Sequence, residues 1–303
     1  MKAVLVLIVL VGALSIDAIG QTCSEKAKEI RPQLSAAVEL EYSRNLEIAG
    51  RNAASDPSVD NFIWYARRKG YLGRYKDAVD ALTIALEKFP SDARIYRHRG
   101  HRLITLRCFD DAVRDLEKAA ALTKGKADEI EPDGIPNAKN IPTGTLQSNI
   151  WYHLGLAYYL KGDLKRALKA YERCAKASKN NDMRVATAHW QYMTLRRMGK
   201  KEEAAKLIVQ YRGNIEVIEN DDYLTLIRLY RGERNAEDLE KSLGSEAKTL
   251  GSASLGYGLG NWYFYIGETE KGLDIFRKIV DGDQWASFGY IAAEAELARQ
   301  PRK

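Results

Sequence analysis

The 303-residue chain sets 47 Lys plus Arg against 41 Asp plus Glu, with 45% hydrophobic and 29% charged residues. That balance is ordinary for a folded protein and too mixed in sign for a disordered polyelectrolyte. With 23 Gly, 7 Pro and 3 Cys, collagen-like, linker-like, disulfide-scaffold and multi-cysteine zinc compositions are excluded, and the length admits two average domains or one elongated repeat array.

In chain order, Lys2 is followed by an uncharged, apolar run from Ala3 to Leu14 that ends near Asp17, well short of the ~20 residues of a membrane-spanning helix. With the small residues Ala18 and Gly20 before Gln21, it predicts a cleaved secretory signal over residues 1–20 rather than an anchor. Cys23, preceded by Gly20-Gln21-Thr22, does not fit a lipoprotein cleavage site. Loss of residues 1–20 removes Lys2 and Asp17 together, so the formal charge stays at +6. In an exported chain a pI near 9.0 points to an acidic partner or to solubility. No nucleic-acid recognition motif accompanies it. An oxidising compartment also lets Cys23 and Cys108 pair, although their spacing does not demand it. Residues 21–57 are expected to form an N-terminal helical cap, with a helix over 24–50 broken or started by Pro32.

A period then sets in. Ala78 to Ala112 is 34 residues, as are Tyr75 to Phe109, Leu82 to Leu116 and Ala85 to Ala119. A third copy carries Trp151, Leu154, Gly155 and Tyr158, then Ala167, Tyr171 and Cys174; a fourth begins at Gly199 and includes Ala204. The interval from Ala112 to Ala167 is 55 residues, one period plus an insertion of 21. A degenerate fifth unit spans Asn220 to Leu243, a sixth has Leu259, Gly260, Tyr263, Gly272 and Phe276, and Trp285 to Leu297 reads as an amphipathic cap. Patterning at 3.6 residues with Gly at each turn predicts helical hairpins. The small residues allow close helix approach, and the bulky ones fill the space between hairpins.

These matched offsets resemble the tetratricopeptide repeat. The resemblance implies an all-α, right-handed helical-hairpin solenoid of about six repeats over residues 58–283, with an insertion at 124–147 and a capping helix and tail at 284–303. The runs Asp92–Arg102, Glu131–Asn137, Ser148–Ala157 and Tyr192–Arg197 also look like exported bacterial members of that family, which implies export and nothing catalytic. In such repeats the first helix of each hairpin lines a concave groove that binds a protein or peptide. Carried onto this chain, the lining is Asp60, Ile63, Trp64 and Arg67; then Arg94, Arg97, His98, His101 and Thr105; then Asn149, Tyr152, His153 and Tyr159; then His189, Trp190, Met193, Arg196 and Arg197.

All four histidines of the chain fall on those positions. With Arg94, Arg97, Asn149 and Tyr152 they suggest a pocket for an acidic or hydrogen-bonding group, with Arg as a forked donor. The competing readings are a metal site formed by His98, His153 and His189, and histidines that simply lie on a solvated face. The insertion contains Asp128, Glu129, Glu131 and Asp133, with Ile135 and Ile141 among stiffening prolines. It is expected to be a docked lid whose acidic stretch meets Arg94, Arg97 or Arg99. No nucleophile elbow, phosphate loop or metalloprotease motif occurs. The expected function is therefore an exported scaffold, not an enzyme and without a cofactor, that binds a partner with an acidic group. The alternative is a metal-dependent or hydrolytic enzyme using the histidine cluster.

Overall fold

The computed structural model describes residues 22–246 and 250–301. The expected signal, residues 1–20, lies outside the described residues. Fifteen helices are described. After α1 (Cys23–Lys26) and α2 (Ala36–Ser55), six hairpins follow: α3 (Val59–Tyr71) with α4 (Tyr75–Lys88), α5 (Ala93–Thr105) with α6 (Phe109–Thr123), α7 (Leu146–Lys161) with α8 (Leu164–Ala177), α9 (Asn181–Arg197) with α10 (Lys201–Ile208), α11 (Asp221–Tyr230) with α12 (Ala236–Glu246), and α13 (Leu250–Ile266) with α14 (Thr269–Val280). A last helix, α15 (Phe288–Ala298), follows. None of the helices described is long and apolar enough to cross a membrane.

The repeat pattern has a direct geometric cause. At Gly100, Gly155 and Gly260 an added Cβ would lie 2.7, 2.6 and 2.4 Å from Leu116, Tyr171 and Phe276. In each case the contact is the residue 16 positions on, in the second helix of the same hairpin. Each hairpin turn then takes a positive φ, at Gly73, Arg107, Gly162, Gly199, Gly232 and Gly267. Arg107 is the exception to glycine. Its left-handed backbone costs about 1–2 kcal/mol, and its guanidinium is anchored far along the chain, donating to Glu294 Oε2 at 2.6 Å and to the Trp285 carbonyl at 3.0 Å.

The N-terminal segment departs from the expected helix over 24–50. Only Cys23–Lys26 is helical; the chain then runs non-helical to Ser35, whose hydroxyl caps α2. The expected interruption at Pro32 is present, but it extends over residues 27–35 and leaves only one turn of helix before it. The segment is held along the array instead: Glu29 Oε1 accepts the Lys76 amide at 2.9 Å, Pro32 abuts Gly73, and Cys23 is disulfide-bonded to Cys108. Cys174, expected to pack, is fully buried with Sγ 3.1 Å from Thr187 Oγ1.

The C-terminal helix does more than cover the last repeat. Trp285 lies under Arg107 at 3.9 Å, Phe288 packs on His101 and His153, and Arg299 donates to the Tyr159 and Leu160 carbonyls. The end of the array thus meets its second and third hairpins.

Candidate functional site

Helices α5, α7 and α9 direct the expected residues to the inner face, but that face is covered in two ways. Its N-terminal part is crossed by the insertion. The neck of this loop is a short antiparallel pairing: Glu131 N donates to Gly144 O at 3.1 Å, and Leu146 N donates to Glu129 O at 2.9 Å. Asp128 Oδ1 steadies it by accepting the Gln147 amide at 3.0 Å. From the neck, Glu131 reaches between α5 and α7. Its Oε1 lies 2.8 Å from Arg97 Nη2 and 3.7 Å from His98 Nε2, while Asn149 also hydrogen-bonds its carboxylate. Arg67 Nη1 donates to the Pro132 carbonyl at 2.8 Å. Farther along, Asn180 Nδ2 donates to the Thr143 carbonyl at 2.7 Å, Thr143 and Asn137 donate to Glu219, and Asn137 also contacts Asp133.

Docking is therefore present, but not in every expected detail. Of the three candidate arginines only Arg97 receives an acid from the loop. Arg94 is taken by Asp92 and Asp60, both at 2.8 Å, and Arg99 forks onto Asp115 of α6 at 2.7 and 2.8 Å. Ile135 and Ile141, expected to help dock the loop, are 58% and 51% exposed. The loop is held by polar groups reaching its backbone and acids, so its aliphatic side chains are left outside.

The Arg97–Glu131 pair is buried on both sides. Burial lowers Arg97 to about 10 despite the attraction of Glu131, and raises Glu131 despite the attraction of Arg97. Desolvation thus exceeds Coulomb attraction at each partner, the usual outcome for a dry ion pair.

The three histidines considered as metal ligands, His98, His153 and His189, do not converge. His98 Nδ1 accepts from Arg97 at 3.1 Å, leaving its Nε2–H toward Glu131. His153 Nδ1 must carry a proton, because it donates to the Asn149 carbonyl at 2.6 Å. Its ring lies 4.6 Å from that of His101. His189 is elsewhere, stacked on Tyr223 at 4.7 Å with Nδ1 3.2 Å from Tyr230 Oη. Among the described residues, His98, His153 and His189 do not come within reach of one metal ion; Cys23, Cys108 and Asp111 do, and the two sulfurs there are joined. Burial pushes all four histidines below their usual range, His189 to about 3. They are neutral groups inside the protein, not cations on a wet groove.

From α7 onward the inner face is closed by the chain's own C-terminal helices. Tyr257 of α13 stacks on Trp190 at 5.7 Å and donates to Tyr159 Oη at 2.9 Å. Arg197 is bound by Asn261 at 2.9 and 3.0 Å and by Glu296 at 2.6 Å. Arg196 donates to Tyr192 Oη and the Tyr265 carbonyl. Tyr152 is buried against Phe288 and hydrogen-bonded to Tyr223. An open lining at Tyr152, His153, His189 and Trp190 is therefore not what forms. The residues that close it, Tyr257, Asn261, Phe288 and Glu296, sit on helices that sequence reasoning placed in the last repeat and its cap. The signal was the two acids Glu294 and Glu296 on a helix that is otherwise largely apolar.

What stays open on the inner face is the N-terminal part. A cavity of about 300 Å³ lies between α3, α5 and the insertion, lined by Asp60, Ile63, Trp64, Arg67, Arg94, His98, Glu129 and Glu131. Arg67 sits 4.7 Å over the Trp64 ring. It donates hydrogen bonds to the Pro132 carbonyl and the Tyr71 hydroxyl, both neutral groups.

Two family profiles, each described as Tetratricopeptide repeat, match residues 66–128 and 148–181. The stacked hairpins and the two matches define a helical-repeat protein. Over the matched residues the chain carries tetratricopeptide repeats. Similar solved structures include MamA (14% identity, 67% of this chain and 99% of that one, TM-score 0.44). Another is YrrB, described as a TPR protein with an unusual peptide-binding site (17% identity, 83% and 99%, TM-score 0.44). A third is a Podosopora anserina putative kinesin light chain with TPR-like repeats (14% identity, 80% and 97%, TM-score 0.44). No curated protein sequence matches the chain.

Proposed function

We propose that this protein is an exported scaffold that binds a protein or peptide segment carrying an acidic group, and that the segment enters the cavity between α3, α5 and the insertion. The observation that carries the reading is the insertion itself. Its extended, proline-bearing segment lies across α3 and α5 with one carboxylate on Arg97 and one carbonyl on Arg67. That is the chemistry a bound acidic peptide needs, and the neighbouring Trp64–Arg67–Arg94 corner offers a flat apolar wall and donors of the same kind. The Cys23–Cys108 disulfide supports export, because such bonds persist in oxidising compartments.

The test is capture of acidic peptides by the full chain, measured by fluorescence anisotropy, with Arg67→Ala as the variant. Arg67 is only partly buried and its hydrogen bonds go to neutral groups, but its charge also favours the Glu131 carboxylate, so the melting temperature of the variant is measured alongside. Loss of about tenfold or more in affinity supports the site. Equal binding by wild type and variant refutes it. The histidine-based enzyme alternative gains little from the geometry, since the rings are held neutral by burial and His189 lies apart from the other three.

A further inference from the structure

Helix α7 has a second functional-looking face, opposite Asn149, Tyr152 and His153. There a cleft of about 600 Å³ opens between α6 and α8, the second helices of hairpins two and three, with Trp151 and Tyr158 of α7 at its base. This is the outer side of the array, away from the inner face. Its volume is in the range of small-molecule sites.

The charge on its walls is one-sided. Lys124, Arg166, Lys169 and Arg173 line the cleft against one carboxylate, Glu117. That carboxylate is already engaged by the Tyr158 hydroxyl. Arg166 is held by Asp163 at 2.5 Å and lies 4.5 Å over the Tyr158 ring. Arg173 lies 5.0 Å over the Trp151 ring. It has no ion-pair partner among the described residues, and neither has Lys169 or Lys124. Lys169 and Arg173 are four residues apart on α8 and so share one face. A basic stripe that is merely solvated needs neither a concave wall nor an aromatic base. A guanidinium held over an indole, by contrast, can keep N–H groups free to fork onto an oxyanion.

We infer that this outer cleft binds a small organic ligand in which a tetrahedral oxyanion, phosphate or sulfate, is carried on a planar ring. The oxyanion sits on Arg173 and Lys169, and the ring lies against the Trp151 side of the cleft. The site shares no residue with the inner-face cavity, so the two proposals stand or fall separately.

Calorimetry on the full chain tests it, with phenyl phosphate, phenyl sulfate, inorganic phosphate and phenol as probes. At least one phenyl ester is expected to bind at submillimolar concentration, inorganic phosphate about tenfold more weakly, and phenol not at all. The preferred ester identifies the oxyanion. The double variant Lys169→Ala, Arg173→Ala should lose about tenfold or more in affinity at unchanged melting temperature, since both side chains are exposed. Absence of heat with both esters at millimolar concentration, or wild-type affinity in the double variant, overturns the inference.

Discussion

At the N-terminal end of the inner face a loop lies over α3 and α5 through a few polar contacts, above all Arg97–Glu131 and Arg67–Pro132. From α7 onward the same face is covered by α13 and α15 through packed rings, with Tyr257 stacked on Trp190 and Phe288 edge-on to His153. Both coverings are intramolecular, yet they differ in reversibility. Aromatic burial is non-directional and scales with the area removed from water. A buried ion pair gives little net stability but is costly to half-remove. The ring-packed part is core, and the loop-covered end is where the proposed partner would enter.

The comparison is broken most directly by two substitutions of similar cost and different rescue. Tyr257→Ala should destabilise by about 3–5 kcal/mol in urea denaturation, with no single partner mutation restoring it. Arg97→Ala should also cost about 3–5 kcal/mol by stranding the Glu131 carboxylate. Here Glu131→Leu in the same chain should recover most of the loss. Failure of that rescue would mean that Arg97 supports the fold by more than its pairing with Glu131.

A smaller effect separates the halves by redox chemistry. Reducing Cys23–Cys108, which closes a separation of 85 residues, should cost about 2–4 kcal/mol. Hydrogen exchange should then rise first in α1 and the first two hairpins, with the ring-packed helices α13 and α15 protected longer. Uniform loss of protection would erase the distinction.

The pH response comes next. The His189 imidazole is held neutral to about pH 3 in the folded protein against an ordinary value of 6.5, by burial alone. Between those values the unfolded chain binds the extra proton, so this contribution is complete above pH 6.5 and is lost as pH falls toward 3. The expected slope is about 1.4 kcal/mol per pH unit for each such histidine. Urea midpoints between pH 7 and 5 should fall, and less steeply in His189→Phe; an unchanged slope would place the proton uptake elsewhere. The smallest effect belongs to the exposed aliphatics of the loop. Ile135→Ser with Ile141→Ser should shift stability by no more than about 0.5 kcal/mol. A larger loss would show that these side chains help hold the loop down.

The hairpins were readable in advance because their determinants are local and repeated. A glycine on the first helix facing a bulky residue 16 positions later, as at Gly155 and Tyr171, is a contact within one hairpin. The lid was half readable. Its prolines and the absence of helical patterning marked it as a loop, and its acids pointed at basic α5. Which arginine it would meet was not readable, because Arg94 and Arg99 are satisfied by Asp92, Asp60 and Asp115 and so drop out of the competition. The isoleucines misled: hydrophobicity suggested burial, whereas the loop docks through its backbone and acids.

Residue order alone thus specified the hairpin, its period, its turns and the site of the insertion, since each depends on partners less than about one repeat away. The winding of the array did not follow from it. Whether α15 would cap an end or close over α7, whether Cys23 would find Cys108, and whether His189 would face water or two tyrosines all depend on small rotations summed over several hairpins. Those rotations bring Glu296 onto Arg197 and Glu294 onto Arg107, and no local pattern records a pairing that exists only once every intervening hairpin has stacked.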